Sequence, residues 1–360
     1  MLVNSIVIWT LLFFLAAAVL DKTFGNRFGY GRSLDEAFQA MGPLAFVMVG
    51  MISIAPVLAD FLRPVLVPVF SLAGVDPGMF PGMILAVDMG GYPLSTALAD
   101  NPDAGLLSGI ILSTMLGPVF VFTVPVALGL IQRQDHKLLA EGIMYGLIPV
   151  PAGALLAGVT AGMEVTFLIQ QLLPVILFIS LCAAGLFFFR RIVTALFLWG
   201  GRMVMAVSSI LIGILALQEV GGVVLVDGMT PFADTMEIIG VIVLALAGAF
   251  PFVHFLRETL IPKATGLLEK TPLPAETWTA FITQLAHSIP MYKNLHLLDE
   301  RSKVMNIAFS VSGAFLLGGH LGFTAAVEPG MVTAMLVGKA SAGVMAVLLV
   351  YAVKRKQIQQ

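Results

Sequence analysis

The chain has 360 residues, of which 59% are hydrophobic and 11% charged, and its formal net charge is −2. Soluble domains carry roughly a quarter charged side chains, so an ordinary water-soluble fold is excluded, and without a long basic run so is a nucleic-acid binder. The single cysteine, Cys182, leaves no disulfide framework or cysteine metal site, and no cofactor or metal is indicated.

Apolar runs of about 20 residues, long enough to cross a bilayer, recur from end to end. Spanning helices are expected near 2–20, 41–71, 104–132, 137–161, 165–189, 192–218, 235–260, 303–327 and 331–353. The first lacks a basic leader and has a long apolar run, so despite Ala16, Ala17 and Ala18 it reads as a span rather than a cleaved signal. Two stretches, 76–100 and 275–299, are apolar but polar at mid-length, around Asp88-Met89-Gly90-Gly91-Tyr92-Pro93 and Ala286-His287-Ser288-Ile289-Pro290. Each half is too short to span at about 1.5 Å per residue.

Loop charge decides the topology. Basic residues gather at Lys22, Arg27 and Arg32, then Arg133 and Lys137, Arg190 and Arg191, Lys263 and Lys270, Lys293, Arg301 and Lys303, and finally Lys354, Arg355 and Lys356. The intervening loops near 72–77, 100–104, 161–165, 219–236 and 327–330 have no Lys or Arg. All basic loops fall on one side only if both broken stretches turn back. The expectation is therefore an N-terminus outside, a C-terminus in the cytoplasm, and a multi-pass protein of the bacterial inner membrane.

The chain also repeats itself. Ala55, Phe61, Leu62, Arg63, Leu66 and Pro68 coincide in register with Ala249, Phe255, Leu256, Arg257, Leu260 and Pro262. Further on, Pro93 matches Pro290, and the Gly117-Pro118 break matches Gly318-Gly319-His320. The fold class expected is an all-α integral membrane protein. It is an inverted-repeat transporter with about nine transmembrane helices, two re-entrant helical hairpins and broken helices. Its divisions are a first repeat half at 1–161, connecting spans at 162–234 and an inverted second repeat at 235–360.

The segments Ala40-Met41-Gly42, Ala55-Pro56-Val57-Leu58-Ala59, Asp88-Met89-Gly90-Gly91, Gly117-Pro118, Pro125-Val126-Ala127-Leu128-Gly129, Ile289-Pro290-Met291 and His320-Leu321-Gly322-Phe323 resemble, in order, those of the ethanolamine permease family, EutH. The resemblance covers most of the chain. It implies a carrier that admits ethanolamine to a cytoplasmic ammonia-lyase pathway, not an enzyme, and it brings no agreed set of binding residues. The architecture is also similar to hairpin-containing elevator carriers, a fold-level analogy from which a homodimer is expected.

Protonated ethanolamine needs acceptors for a compact ammonium and a partner for its hydroxyl. Asp88 is the first candidate for the ammonium, since a carboxylate at bilayer depth is costly to keep idle; its competing reading is a helix cap. Gly90 and Gly91 permit close backbone approach, and Tyr92 offers a ring or hydroxyl. His287, Ser288, His320 and Thr123 are candidates for the rest of the site. Asp60 and His254, equivalent in the repeat, each precede an arginine by three residues and read as structural pairs or as gating and proton-coupling groups. Facilitated diffusion and proton symport both stay open. A channel-like pore for small amines is the alternative, and an intramembrane enzyme a distant one, since no His-Glu-x-x-His or Gly-x-Ser-x-Gly pattern serves it.

Overall fold

The computed structural model describes residues 2–260, 263 and 273–358. Lys270 and Pro262, used above in the charge and repeat arguments, lie outside them. Every regular element among the described residues is helical, as a medium without water demands of backbone hydrogen bonds. Eight helices among them are long and apolar enough to cross a bilayer: Val3–Thr23, Tyr30–Ser71, Pro102–Leu130, Arg133–Ala161, Val165–Phe188, Arg191–Glu219, Phe232–Thr259 and Pro329–Lys354. The chain is a multi-pass membrane protein.

The stretch expected as a span at 303–327 is two helices, Glu300–Ser312 and Gly319–Val327. Gly313, Gly318 and Gly319 weaken the helix between them, and Phe315 takes a left-handed φ of 59°. The helix Tyr30–Gln39 has no counterpart in the hydropathy reading, because it is amphipathic: Leu34 and Ala37 are buried while Arg32 and Glu36 are exposed.

Both polar-centred stretches are broken helices whose ends meet. The first comprises Met79–Ile84, an extended Leu85-Ala86, one 3₁₀ turn Val87–Met89, and Gly91–Leu98. Its ends are clasped by Asp76, whose carboxylate accepts backbone N–H groups of Gly78 at 2.8 Å, Asp100 at 3.1 Å and Asn101 at 2.8 Å. The second comprises Ala275–Ala286 and Ile289–Lys293. Its ends meet where the Thr277 hydroxyl donates to Ser302 Oγ at 2.6 Å, while Asp299 caps the helix that follows.

Small residues let the helices pack closely, as they do where lipid provides no hydrophobic drive. Gly153 and Ala157 face Gly338 and Ala342, and a Cβ added at Gly153 would stand 2.6 Å from the Gly338 carbonyl oxygen. Gly142 and Gly146 bring His136–Leu147 against Glu300–Ser312 in the same way.

Polar contacts group the loops into two sets. Lys303 pairs with Asp135 at 2.9 Å and Lys354 with Glu141 at 3.0 Å, joining three basic regions. Among the loops poor in Lys and Arg, Asn4 donates to the Gly330 carbonyl and Gln171 accepts the Asp76 N–H. Two exposed surface pairs, Lys22–Asp35 and Arg257–Glu258, add little to stability.

Gly338→Leu is expected to destabilise the protein by about 1–3 kcal/mol through overpacking against Gly153 and Ala157. Gly240→Ala, where an added Cβ meets nothing within 4 Å, is expected to be neutral or stabilising by up to about 1 kcal/mol. Thermal unfolding of the two variants in detergent checks the contrast; equal midpoints would remove the small-residue account.

Candidate functional site

The two extended tips lie directly against the two interrupted helices. A Cβ on Gly117 would stand 1.9 Å from the Leu85 carbonyl oxygen, and one on Gly318 would stand 2.1 Å from that of Ala286. No side chain fits at either glycine, so backbone packs on backbone. The second junction is also hydrogen-bonded, Phe315 N–H to Gln284 O and Leu317 N–H to Leu285 O, both at 2.9 Å.

Where tips and breaks converge there is a cavity of about 600 Å³. Asp88, His287 and His320 line it, and its other lining residues, Phe122, Phe250 and Phe315 among them, are apolar. Asp88 sits on the 3₁₀ turn of the first tip. The helix after that turn has Gly90 as its N-cap, at a φ of 95°, with no side-chain cap bond, so Asp88 does not cap it. Among the described residues its carboxylate has no hydrogen-bond or ion-pair partner on another residue.

His287 ends the first arm of the second hairpin. Its Nδ1 accepts the Ile289 N–H at 3.2 Å, which puts the proton of the neutral ring on Nε2. His320 opens the helix Gly319–Val327, is buried, and has no partner for its Nδ1 among the described residues. Phe122 is carried by a π-helical turn, Val119–Thr123, a local widening common at functional sites. Phe315 is held in its left-handed conformation by the bond to Gln284, and a non-glycine residue there stores strain. Its ring centroid lies 4.9 Å from that of His287, 5.2 Å from His320 and 5.5 Å from Phe122.

Other sequence candidates do not line this cavity. Gly90 and Gly91 are buried behind the tip, against Met51 and Ser113, and shape the turn. Tyr92 donates its hydroxyl to Glu328 at 2.7 Å and meets Phe323 edge-on. Thr123 and Ser288 are buried, the latter with an unpartnered hydroxyl. Asp60 is exposed and Arg63 pairs instead with Asp100 at 2.8 Å, because its guanidinium also reaches the Ala97 carbonyl at the end of the first hairpin. His254 bonds the Phe28 carbonyl at 3.0 Å rather than Arg257. It lines a second cavity of about 430 Å³ with Arg32, Glu36 and Arg257, which shares Phe250, Ala286 and His287 with the first.

The sequence reading missed Phe122 and Phe315. The available signal at Phe315 was an aromatic residue bracketed by Gly313 and Gly318; Phe122 gave none, since π turns leave no pattern. Lys339 is a further residue that the sequence reading passes over. It is buried, and its Nζ donates to the Thr114 carbonyl at 2.6 Å. Pro118, four residues on, has no N–H to offer that carbonyl, so Lys339 fills the position a helical N–H would hold.

The family profile described as "Ethanolamine utilisation protein, EutH" matches residues 3–353. The chain is 42% identical to a probable ethanolamine permease EutH of Listeria monocytogenes over 96% of this chain and 93% of that protein. It is 41% identical to the uncharacterized protein YxeR of Bacillus subtilis, over 96% and 94%. It is 36% identical to a probable ethanolamine permease EutH of Escherichia coli, over the same shares. No solved structure matches.

Lys339→Met leaves the Thr114 carbonyl orphaned and is expected to cost about 1–3 kcal/mol. In a Pro118→Ala background, where residue 118 regains its N–H, the same change is expected to cost clearly less. A double-mutant cycle by thermal unfolding reads the coupling; additive effects would dissociate Lys339 from the helix break.

Proposed function

We propose, from the premise that the chain belongs to the EutH family of ethanolamine utilisation proteins, that it imports ethanolamine across the bacterial cytoplasmic membrane by alternating access. The family's named relatives are permeases, which makes a transporter, not an enzyme, the function to explain. The observation that carries the site is the Asp88 carboxylate, without a partner on another described residue, on the wall of a cavity between two helix breaks.

In this reading Asp88 accepts the ammonium, replacing hydration with a charge-assisted hydrogen bond. His287, through its Nε2–H, and His320, through the part of its ring on the cavity wall, hold the hydroxyl. His254, on the wall of the second cavity, is the candidate for gating or proton coupling. Asp60 lines neither cavity and has no part here.

The two broken stretches act as re-entrant hairpins of opposite entry. Supporting this, the Asp76 clasp is bonded to Gln171 beside loops without Lys or Arg, whereas the Thr277–Ser302 junction adjoins the Lys303–Asp135 pair on the basic side. The matching contacts of Gly117 and Gly318 support the inverted repeat. The positive-inside rule then puts the N-terminus outside and the second cavity on the cytoplasmic side, with the second hairpin between that cavity and Asp88. The Tyr92–Glu328 bond closes the outer face.

In proteoliposomes the protein is expected to take up labelled ethanolamine saturably, and Asp88→Asn at equal insertion is expected to lose at least about tenfold, the scale of losing one desolvated charge partner. Full uptake by the variant would remove Asp88 from the site. An imposed pH gradient separates the two modes, since symport concentrates the substrate above the outside level and a facilitator only equilibrates it. Topology has its own check in a Cys182→Ala background. Asn101→Cys is expected to react with an impermeant thiol reagent from outside and Glu276→Cys only after the inner face is opened; the reverse pattern would invert the orientation.

A further inference from the structure

The aromatic residues on the cavity wall are a second observation beside Asp88. Phe122, Phe315 and His287 form a closed set of ring contacts, with centroids 5.5, 4.9 and 6.4 Å apart and interplanar angles of 78°, 60° and 65°. Rings meeting this steeply make a corner rather than a stack, and all three residues line the cavity that Asp88 lines. Aromatic faces attract cations, and they do so best where the cation is poorly hydrated, as a methylated ammonium is.

The hydrogen-bonding inventory points the same way. A primary ammonium has three N–H donors to satisfy once water is stripped. The cavity offers the Asp88 oxygens and the His320 ring, but the His287 Nδ1 is already taken by Ile289 and the unpartnered His320 Nδ1 is buried. The remaining wall is apolar. A trimethylammonium has no N–H to satisfy and needs only a negative charge with apolar and aromatic contact. Space does not oppose it either, for about 600 Å³ corresponds to roughly twenty water volumes of about 30 Å³ each.

We propose that this cavity also binds N-methylated amino alcohols up to the quaternary ammonium alcohol, choline, with Phe122 and Phe315 as the residues that set tolerance for methylation. The inference rests on the reading of Asp88 as the ammonium partner. Phe315 is the more committed of the two, because the strained backbone that presents its ring is pinned by Gln284 rather than by a regular helix.

The test is binding to the purified full-length protein, by calorimetric titration with ethanolamine, choline and 3,3-dimethylbutan-1-ol, the neutral carbon isostere of choline. Choline is expected within about threefold of ethanolamine or tighter, and the isostere roughly tenfold weaker than choline. Phe315→Leu and Phe122→Leu are each expected to weaken choline about tenfold while changing ethanolamine less. Elution profile and thermal midpoint report folding, and Phe122→Leu, in a helix, keeps the test alive if Phe315→Leu does not fold. Choline more than tenfold weaker than ethanolamine overturns the proposal, as does an isostere that binds as well as choline. Ethanolamine uptake with no choline binding leaves the carrier reading intact and removes only this inference. Choline binding without ethanolamine binding does the reverse.

Discussion

The whole centre of this molecule depends on one requirement: a helix interrupted in apolar surroundings exposes backbone groups that must find partners. Both interruptions lie against the tip of a hairpin, but they meet the requirement differently. At the second break two backbone N–H groups are satisfied by the tip carbonyls of Gln284 and Leu285. At the first, the tip carbonyl of Leu85 lies where any Cβ on Gly117 would be, and the orphaned Thr114 carbonyl is taken by a lysine from the C-terminal helix. Each tip is thereby locked to one broken helix. In the proposed carrier a tip that moves must either take its broken helix along or exchange those bonds, and the first course exposes fewer unpaired groups.

Several unpartnered polar atoms lie close to the breaks. Ser113, Ser288, Ser312, His320 and Thr324 have buried atoms with no partner among the described residues, and all sit on a hairpin tip or a broken helix. On the outer helices the hydroxyls of Thr160, Ser180 and Ser209 donate to the carbonyl four residues back, while that of Ser208 has no partner among the described residues. A buried hydroxyl without a bond costs about 1–3 kcal/mol. Unbonded hydroxyls beside the breaks suit a region whose bonds are remade between states, whereas the small-residue contacts of Gly153 with Gly338 suit a rigid support.

What the sequence discloses follows from what hydropathy can register. Long apolar runs, the breaks at Gly117-Pro118 and Gly318-Gly319, and the separation of basic from non-basic loops are each written in consecutive residues. The helix Tyr30–Gln39 escaped because its signal is an amphipathic period, not an apolar mean. Asp88, His287 and His320 stood out as polar residues in apolar stretches, and they do line one cavity. Gly90, Gly91 and Tyr92 had the same credentials by position but turn away from it, since a one-turn 3₁₀ segment redirects successive side chains unpredictably. Phe122 and Phe315 were hidden for the opposite reason. A phenylalanine in a membrane helix is unremarkable until a π turn or a positive φ aims it inward.

The two tips each pack on one helix break but differ in charge. The first carries a carboxylate, while the second carries a histidine and opens onto a cavity with Arg32 and Arg257 at its wall, the latter paired with Glu258. In the proposed carrier a cation is drawn toward Asp88 and is held only weakly on the basic side, where Glu36 is the one carboxylate among the described lining residues. This asymmetry speeds departure toward the basic side and slows reloading from it, but fixed charges alter rates in both directions of one equilibrium and cannot shift its end point. In the proposed carrier, net import therefore has to come from consumption of the solute inside or from a proton carried with it. In the proposed carrier, His287, shared by both cavities, and His254 on the wall of the second are the candidates for coupling to protonation.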